Sequence, residues 1–277
     1  MKRGDISVVT GASSGLGRDI AKLLCEKGSI VYVIARSKDK LLELQKECSK
    51  KEGNIKVISG DLTDKNFRKK LSEKIIKESK KVDYLINNAG YGKLSQFESE
   101  TIEDIEGMYQ LNSIATEHLV QLFLPFMKKR RKGKIINVAS VVALSPPVYF
   151  TTYNATKYAV YGFSKTLRYE LKNTGVSISV AFPSRMKTPF WEGAFKCKNL
   201  SGKNQGECKE KWIKGTDGPL KVARYIVKNL DKNKFYFLPD TLSKISYHFL
   251  RHFYFIGNFY MRNIMLKSTK KMLKKSK

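Results

Sequence analysis

The sequence predicts an α/β fold in which a doubly wound parallel sheet of about seven strands carries helices on both faces, followed by a C-terminal helical extension. Short β-branched runs alternate with longer stretches of helical periodicity, which is typical of strand–helix–strand units and a parallel sheet. A glycine-rich turn joins the first of these strands to the first helix. The chain has 277 residues, 42% of them apolar, which is enough to bury the core of one such domain.

The predicted elements follow one another in a regular order. The pattern predicts strands over residues 5–10, 29–35, 54–59, 82–86, 134–139, 176–182 and 234–238. It predicts helices over 18–27, 38–51, 65–80, 103–132, 153–173 and 217–230. Residues 1–238 therefore form the predicted main domain, and residues 239–277 exceed what this fold needs.

The turn after the first strand has the composition of a dinucleotide-binding turn. Gly11 permits a tight turn, Gly15 lets a pyrophosphate approach the backbone at the start of the helix, and Gly17 permits close packing. A helix N-terminus favours anions because of its N–H groups and its dipole. A purely structural turn between strand and helix is the alternative.

Arg36 and Ser37 follow the second strand, at the place where a nucleotide-binding sheet meets the adenosine ribose. An acidic residue there would bond the ribose 2′-hydroxyl, whereas an arginine accommodates a 2′-phosphate. The first acidic residue after this strand is Asp39. The sequence therefore predicts NADP(H) over NAD(H); an arginine that simply caps a strand end is the alternative.

Tyr153 and Lys157 are four residues apart on a predicted helix, so they share one face. Ser140 directly follows the predicted strand over residues 134–139. A phenol titrates near ~10, and an adjacent ammonium stabilises the phenolate and lowers that pKa. We therefore expect a proton-transfer site in which Lys157 tunes Tyr153 to exchange a proton with a carbonyl or alcohol oxygen. Taken alone, the pair is also compatible with an ordinary amphipathic helix.

Several short motifs, in this order along the chain, resemble the classical short-chain dehydrogenase/reductase family. They are Thr10-Gly11-x-x-x-Gly15-x-Gly17, Asn87-Asn88-Ala89-Gly90, Asn112, Ser140 and Tyr153-x-x-x-Lys157, with Pro183 and Thr188 behind them. The resemblance covers roughly residues 5–190 and implies a Rossmann-like fold. It also implies a mobile substrate lid over about 189–216.

The resemblance assigns roles to individual residues. Ser140 would bond the carbonyl oxygen and Tyr153 would donate the proton. Lys157 would bind the nicotinamide ribose, and Asn112 would hold a water that relays protons to Lys157. The implied catalytic set is Asn112, Ser140, Tyr153 and Lys157, and the implied cofactor-binding set is Gly11, Ser13, Ser14, Gly15, Leu16, Gly17, Arg36, Ser37, Asp61, Leu62, Asn88, Ala89, Gly90, Tyr153, Lys157, Pro183 and Thr188.

The loop after the sixth strand departs from the family pattern. Ser184 stands where the family usually has glycine, and Met186 replaces an aliphatic residue. Glycine adopts a positive φ at little cost and serine does not, so the path of this loop is open at this point. The nicotinamide contact that the resemblance implies for Thr188 is still expected.

The chain is strongly basic, with 53 Lys and Arg against 25 Asp and Glu and a net charge of +28. Such a charge favours nucleic acid or an anionic membrane as a partner. Lysines spread over the whole chain are equally compatible with lysine filling exposed positions. Because the proton-transfer residues are complete, we do not expect nucleic-acid binding.

Four cysteines, Cys25, Cys48, Cys197 and Cys208, form no Cys-x-x-Cys motif and have no histidine cluster nearby. We therefore expect neither a metal site nor a disulfide framework, which fits a reducing compartment. The N-terminus runs directly into the first strand without the apolar region of a signal peptide. These features predict a cytoplasmic protein, with membrane association left open by the C-terminal extension.

The C-terminal extension has an apolar stripe at helical spacing, followed by a basic cluster. Arg251, His252 and Arg262 interrupt the apolar residues, so a membrane-spanning helix is not expected. The composition fits an anchor that lies on an anionic membrane through residues 240–277; a helix that covers the substrate cleft or a subunit partner is the alternative. The stripe is Leu242, Ile245, Phe249, Phe253, Ile256, Tyr260 and Ile264, and the basic cluster is Lys267, Lys270, Lys271, Lys274, Lys275 and Lys277.

We therefore predict an NADP(H)-dependent oxidoreductase that interconverts a carbonyl and a secondary alcohol. The apolar and basic extension favours a hydrophobic ketone of lipid, 3-ketoacyl or steroid type. One alternative is a reductase of small soluble carbonyls. Another is a non-catalytic nucleotide-sensing or nucleic-acid-binding protein on the same fold. The resemblance also implies a homo-oligomer.

Overall fold

A computed structural model of the protein describes residues 1–194 and 218–252. Its strands form one seven-stranded sheet in the order β3-β2-β1-β4-β5-β6-β7, and every neighbouring pair is parallel. The order reverses direction at β1, which confirms the doubly wound sheet. The strands are β1 Ile6–Thr10, β2 Ile30–Ala35, β3 Asn54–Ser59, β4 Tyr84–Asn87, β5 Gly133–Val138, β6 Val176–Ala181 and β7 Tyr236–Phe237.

Helices cover both faces of this sheet. One apolar layer joins the sheet to α1, α2 and α8, and the other joins it to α3, α5 and α6. The helices are α1 Gly15–Glu26, α2 Lys38–Glu47, α3 Lys65–Ser79, α4 Ile102–Tyr109, α5 Ala115–Lys129, α6 Thr151–Glu170, α7 Phe190–Ala194, α8 Pro219–Asn229 and α9 Thr241–His252.

The central strands are continuous apolar runs because both of their faces are buried. In β1, Val8 packs into the layer of α3, α5 and α6, whereas Val9 packs into the layer of α1, α2 and α8. Both side chains are fully buried. Successive side chains of a strand point to opposite faces, so β1 packs into both layers. This packing holds the carboxyl end of β1 at a fixed position.

The long helix predicted over 103–132 is interrupted. A π-helical segment, Gln110–Ile114, separates α4 from α5 and carries Asn112 near its middle. Asparagine is a poor residue for a helix interior, and π-helical bulges often occur at functional sites. The predicted loop over 141–150 also contains a short 3₁₀ helix, Val141–Ala143, whose N-cap is Ser140.

Parts of two predicted segments lie outside the described residues. These are most of the predicted lid over 189–216, with Cys197 and Cys208, and the extension beyond His252, with its basic cluster. Within the described part, α9 supplies the first turns of the extension, and no helix there is long and apolar enough to cross a membrane. Cys25 and Cys48 are buried free thiols.

Candidate active site

A cavity of about 1190 Å³ opens at the carboxyl ends of the strands, where doubly wound sheets bind their ligands. It is lined by nearly all of the predicted site residues. Gly17 and Asn112 are the predicted residues that do not line it. The residues brought together are Gly11, Ser13, Ser14, Gly15, Leu16, Arg36, Ser37, Asp61, Leu62, Asn88, Ala89, Gly90, Ser140, Tyr153, Lys157, Pro183 and Thr188.

The glycine turn has the shape that a pyrophosphate needs. Gly11 and Gly15 have positive φ values of +66° and +54°, which L-residues with side chains rarely adopt. Ser14 is the N-cap of α1 but makes no capping bond with its side chain. The first N–H groups of α1 therefore face the cavity without a side-chain cap, which fits the phosphates of a dinucleotide.

Gly17 acts through packing rather than through the cavity. A Cβ atom on Gly17 would lie 2.4 Å from the carbonyl oxygen of Gly11 and 2.4 Å from Nδ2 of Asn88. Real Cβ atoms do not approach other atoms this closely. The close packing expected of this position therefore brings the start of α1 against the glycine turn and the end of β4.

Thr10 fastens the glycine turn to the end of β4, a role that the sequence reasoning missed. Its hydroxyl accepts hydrogen bonds from the backbone N–H groups of Asn88 at 2.9 Å and Ala89 at 3.0 Å. The amide Nδ2 of Asn88 donates to the carbonyl oxygen of Thr10 at 3.0 Å and to that of Gly11 at 3.3 Å. The sequence signal for this role of Thr10 is that a polar, β-branched residue stands at the end of a buried strand.

Arg36 and Ser37 are exposed at the end of β2 and line the cavity beside Asp61. The backbone N–H and the hydroxyl of Thr63 both donate to Oδ1 of Asp61 at 2.9 Å. The backbone bond from Thr63, together with the charge of Arg36, lowers the pKa of Asp61. This end of the cavity therefore presents a guanidinium and an ionised carboxylate.

The proton-transfer residues form one cluster. Tyr153 is 7% exposed, and its hydroxyl is hydrogen-bonded to the Ser140 side chain. The ammonium of Lys157 lies 5.7 Å from the centre of the Tyr153 ring and donates to the carbonyl oxygen of Val138 at 3.0 Å. Helix α6 and the end of β5 thus bring a phenol, an ammonium and a hydroxyl to one place.

Burial dominates the electrostatics of this cluster. Burial raises the pKa of Tyr153 to about 12, and the bond with Ser140 offsets part of that rise. Burial lowers the pKa of Lys157 to about 8. Burial therefore sets the direction of both pKa values in this structure, and the lowering of the Tyr153 pKa by the Lys157 ammonium stays a prediction.

Asn112 is 1% exposed and lies behind the cavity rather than in it. Its side chain accepts from the backbone N–H of Tyr91 at 3.0 Å and donates to the Tyr91 carbonyl oxygen at 2.8 Å. It also donates to the hydroxyl of Thr156 at 3.0 Å. The side chain thus holds the segment after β4 against α6, and its proposed role in holding a water stays a prediction.

The loop after β6 accommodates the departure at Ser184. The backbone φ of Ser184 is not positive, so serine is unstrained where the family usually has glycine. Its N–H donates to Oδ2 of Asp240 at 3.0 Å, and Oδ1 of Asp240 accepts from the N–H of Ser243. Thr188 stays against the glycine turn, since its Cγ2 would lie 3.1 Å from a Cβ on Gly15.

Aromatic side chains form one wall of the cavity. The ring of Tyr153 lies 5.8 Å from that of Phe150 and 5.5 Å from that of Phe190, between ring centres. Leu242 and Ile245 from α9 also line the cavity, although they are 45% and 58% exposed. We call these two residues the apolar lip. These side chains give the cavity a large apolar surface, and the polar residues Arg185, Ser145 and Ser246 line it as well.

The comparisons with known proteins agree with this arrangement. The family model described as short chain dehydrogenase matches residues 5–198. An uncharacterized oxidoreductase of Staphylococcus epidermidis is 33% identical over 188 residues, covering 68% of this chain and 80% of that protein. The chain therefore belongs to the short-chain dehydrogenase/reductase family, whose members are oxidoreductases acting on small molecules.

Two further relatives bear names that refer to lipids. A fatty acyl-CoA reductase of Acinetobacter baylyi is 35% identical over 189 residues, covering 68% of this chain and 64% of that protein. A 3-ketodihydrosphingosine reductase of Bacteroides thetaiotaomicron is 32% identical over 200 residues, covering 72% of this chain and 70% of that protein.

Solved structures share the fold. A short-chain dehydrogenase/reductase from Burkholderia phymatum in complex with NAD aligns with a TM-score of 0.80 and 24% identity, covering 90% of this chain and 93% of that chain. A metagenomic short-chain oxidoreductase in complex with NADP aligns with a TM-score of 0.64 and 27% identity, covering 65% of this chain and 82% of that chain. Structural relatives thus bind either NAD or NADP.

Proposed function

We propose that this protein is an NADP(H)-dependent reductase of a hydrophobic ketone. One observation carries the proposal. A single cavity joins the uncapped start of α1, the Ser140, Tyr153 and Lys157 cluster and the apolar lip. A dinucleotide and an apolar carbonyl compound can meet in such a space beside the proton donor.

The residues of the cluster divide the chemistry between them. The hydride for the carbonyl carbon of the substrate would come from a reduced nicotinamide bound in the cavity. The hydroxyl of Ser140 orients the carbonyl oxygen, and the phenol of Tyr153 donates a proton to that oxygen. The Lys157 ammonium stabilises the negative charge that the phenol leaves behind. Burial keeps the phenol protonated at neutral pH, which suits the reducing direction.

The preference for NADP(H) rests on Arg36. Arg36 lines the cavity at the end of β2, and the carboxylate of Asp61, which lines the same end, is bonded to Thr63. An arginine in this place can pair with a 2′-phosphate through charge-assisted hydrogen bonds. The Asp61 and Leu62 pair would flank the adenine on the other side.

The hydrophobic substrate is supported by the walls and by the relatives. Phe150, Phe190 and the apolar lip surround the space in front of Tyr153. The fatty acyl-CoA reductase and the 3-ketodihydrosphingosine reductase match about two thirds of the chain. A long-chain ketone would bury its alkyl part against these side chains, which stabilises binding by about 0.8 kcal/mol per buried methylene.

The apolar lip also supports peripheral contact with an anionic membrane. Lys244 is exposed on the same helix, and the sequence continues into the basic cluster at 267–277. Apolar side chains beside cations are the composition of interfacial helices. Wild-type protein should bind vesicles containing anionic lipid, and a Leu242→Ser, Ile245→Ser double variant should bind them less. Equal binding by both proteins would refute this contact. The homo-oligomer stays a prediction that light scattering can test.

The function is tested by NADPH oxidation with a carbonyl panel that runs from small diketones to long-chain 3-keto lipids, with NADH in parallel. We expect turnover with NADPH and a preference for long chains. Tyr153→Phe should lose about 10²- to 10⁴-fold in rate while it still binds NADPH. A preference for small ketones would refute the substrate assignment. NADPH binding without turnover of any carbonyl would favour a nucleotide sensor instead.

A further inference from the structure

Arg68 is a buried guanidinium close to the cavity. It lies on α3 and is 3% exposed. Its Nη1 donates to the carbonyl oxygens of Leu62 and Thr63, the second at 3.0 Å. Its Nε donates to Nδ1 of His118 on α5 at 2.8 Å. In the described part of the chain, the guanidinium of Arg68 thus donates to two carbonyl oxygens and an imidazole, which are neutral acceptors, rather than to carboxylates.

These contacts hold a loop that faces the cavity. The loop over residues 60–63 lines the cavity with all four of its residues. On the other side of the loop, the backbone carbonyl oxygens of Leu62 and Thr63 accept the hydrogen bonds from Arg68. A buried guanidinium stabilises such a loop when its donors find acceptors, and His118 accepts from Nε, which the loop does not reach.

The bond between Arg68 and His118 requires a neutral imidazole. Since Nδ1 accepts the hydrogen bond, it carries a lone pair and no proton. Protonation of His118 would place an N–H opposite the N–H of Arg68 and would bring two cations together. Burial and the charges of Arg68, Lys69 and Lys65 lower the pKa of His118, so the neutral form prevails at pH 7.

We infer that Arg68 is a positioning residue for the adenine end of the cofactor, and that protonation of His118 releases it. The inference rests on the proposed NADP(H) binding. When His118 becomes charged, the bond to Arg68 is lost, the loop over 60–63 loosens, and the affinity for NADPH falls. Chemistry at Tyr153 is affected only through the occupancy of the cofactor.

Other titratable groups lie near the contact between Arg68 and His118, and they determine which control variants the experiment needs. Asp64 at the start of α3 acts on the charge of Arg68. Asp61 in the loop has a lowered pKa because Thr63 bonds it, so it stays ionised under mildly acidic conditions. Burial raises the pKa of Glu117, which precedes His118 in the sequence. Titration of this carboxyl is therefore the main alternative explanation for a pH dependence in the same range.

The experiment measures the dissociation constant of NADPH by fluorescence between about pH 8 and about pH 5.5. Wild-type protein should bind NADPH about twofold to fivefold more weakly at the acidic end, because a His118 whose pKa is lowered is only partly protonated there. The His118→Asn variant keeps a hydrogen-bond acceptor at the place of Nδ1, and its side chain does not titrate. Its affinity for NADPH should therefore fall less at acidic pH than that of the wild-type protein. Comparing the two proteins cancels the titration of the 2′-phosphate of NADPH itself.

Matched variants separate this mechanism from others. Glu117→Gln should keep the wild-type pH dependence, and so should His248→Asn, which replaces an exposed histidine on α9. Arg68→Lys should raise the dissociation constant across the range and leave kcat at saturating NADPH unchanged. Identical pH dependence in wild type and His118→Asn would overturn the inference while leaving the proposed function intact. No NADPH binding at about pH 8 would overturn both.

Discussion

The ammonium of Lys157 donates a hydrogen bond to the carbonyl oxygen of Val138 at 3.0 Å, and this bond joins α6 to the end of β5. Tyr153 lies on α6 and Ser140 follows β5, so the bond helps to fix the relative position of the proposed proton donor and the hydroxyl that would hold the substrate. It also satisfies a charge that is otherwise buried among apolar groups. The position of the ammonium is therefore set by the protein itself.

The pH profile of ketone reduction should report this ammonium. Lys157 loses its proton as the pH rises through about 8, whereas Tyr153 stays protonated because its pKa is about 12. We expect kcat/KM for reduction to be constant near neutral pH and to fall as the pH rises through about 8. Rates measured at fixed, saturating NADPH would test this, and a constant rate to about pH 10 would contradict it.

The Arg36→Ala variant should bind NADPH more weakly and bind NADH almost as well as the wild-type protein does. The variant removes the charge-assisted hydrogen bonds to a 2′-phosphate, which NADH lacks. We expect the KM for NADPH to rise about tenfold to a hundredfold. Lys40→Ala, an exposed position on α2 that does not line the cavity, is the matched control. An equal effect on both cofactors would argue against the assignment.

Gly17→Ala should destabilise the fold, whereas Gly162→Ala should stabilise it. A Cβ at Gly17 would lie 2.4 Å from the Gly11 carbonyl oxygen, and one at Gly162 would meet no atom within 4 Å. We expect a loss of about 3 kcal/mol for the first and a gain of about 1 kcal/mol for the second in the free energy of unfolding. Urea unfolding measures both, and similar midpoints would contradict the packing role of Gly17.

Substitution of the apolar lip should change the choice of substrate. Leu242→Ser and Ile245→Ser remove apolar surface that a long alkyl chain would cover. We expect about a tenfold higher KM for long-chain ketones and no change for small ones. Leu220→Ser is the control because Leu220 is 39% exposed on α8 and does not line the cavity. A uniform loss for all ketones would indicate a folding defect.

The sheet and most of the site could be predicted from the sequence because local signals define them. Most buried strands are short apolar runs, and several site residues of the motifs follow the end of a strand, whereas Tyr153 and Lys157 share one face of a helix. The carboxyl ends of parallel strands meet at one edge, so Gly11, Asn88 and Ser140 had to converge there. The break in the long helix also had a local signal, namely Asn112.

Long-range contacts could not be predicted in this way. Arg68 and His118 are 50 residues apart in sequence, and Thr10 and Asn88 are 78 apart, with no periodicity that links them. The effect of burial on the pKa of Tyr153 escaped prediction for a related reason. Sequence spacing places an ammonium near a phenol, but the degree of burial depends on Phe150 and the rest of the wall, and burial decides the direction.

The bond from the Ser184 N–H to Asp240 has a practical consequence for protein engineering. The loop that carries Thr188 is held by a residue beyond the last strand. The chain therefore cannot be cut at residue 238 without losing a contact of the main domain. A protein shortened to that point would contain all seven strands and still lose the bond that supports the loop after β6, where the nicotinamide contact of Thr188 is proposed. Fusion partners, tags and truncations therefore belong beyond α9, and loss of activity in a shorter variant would say little about the role of the extension itself.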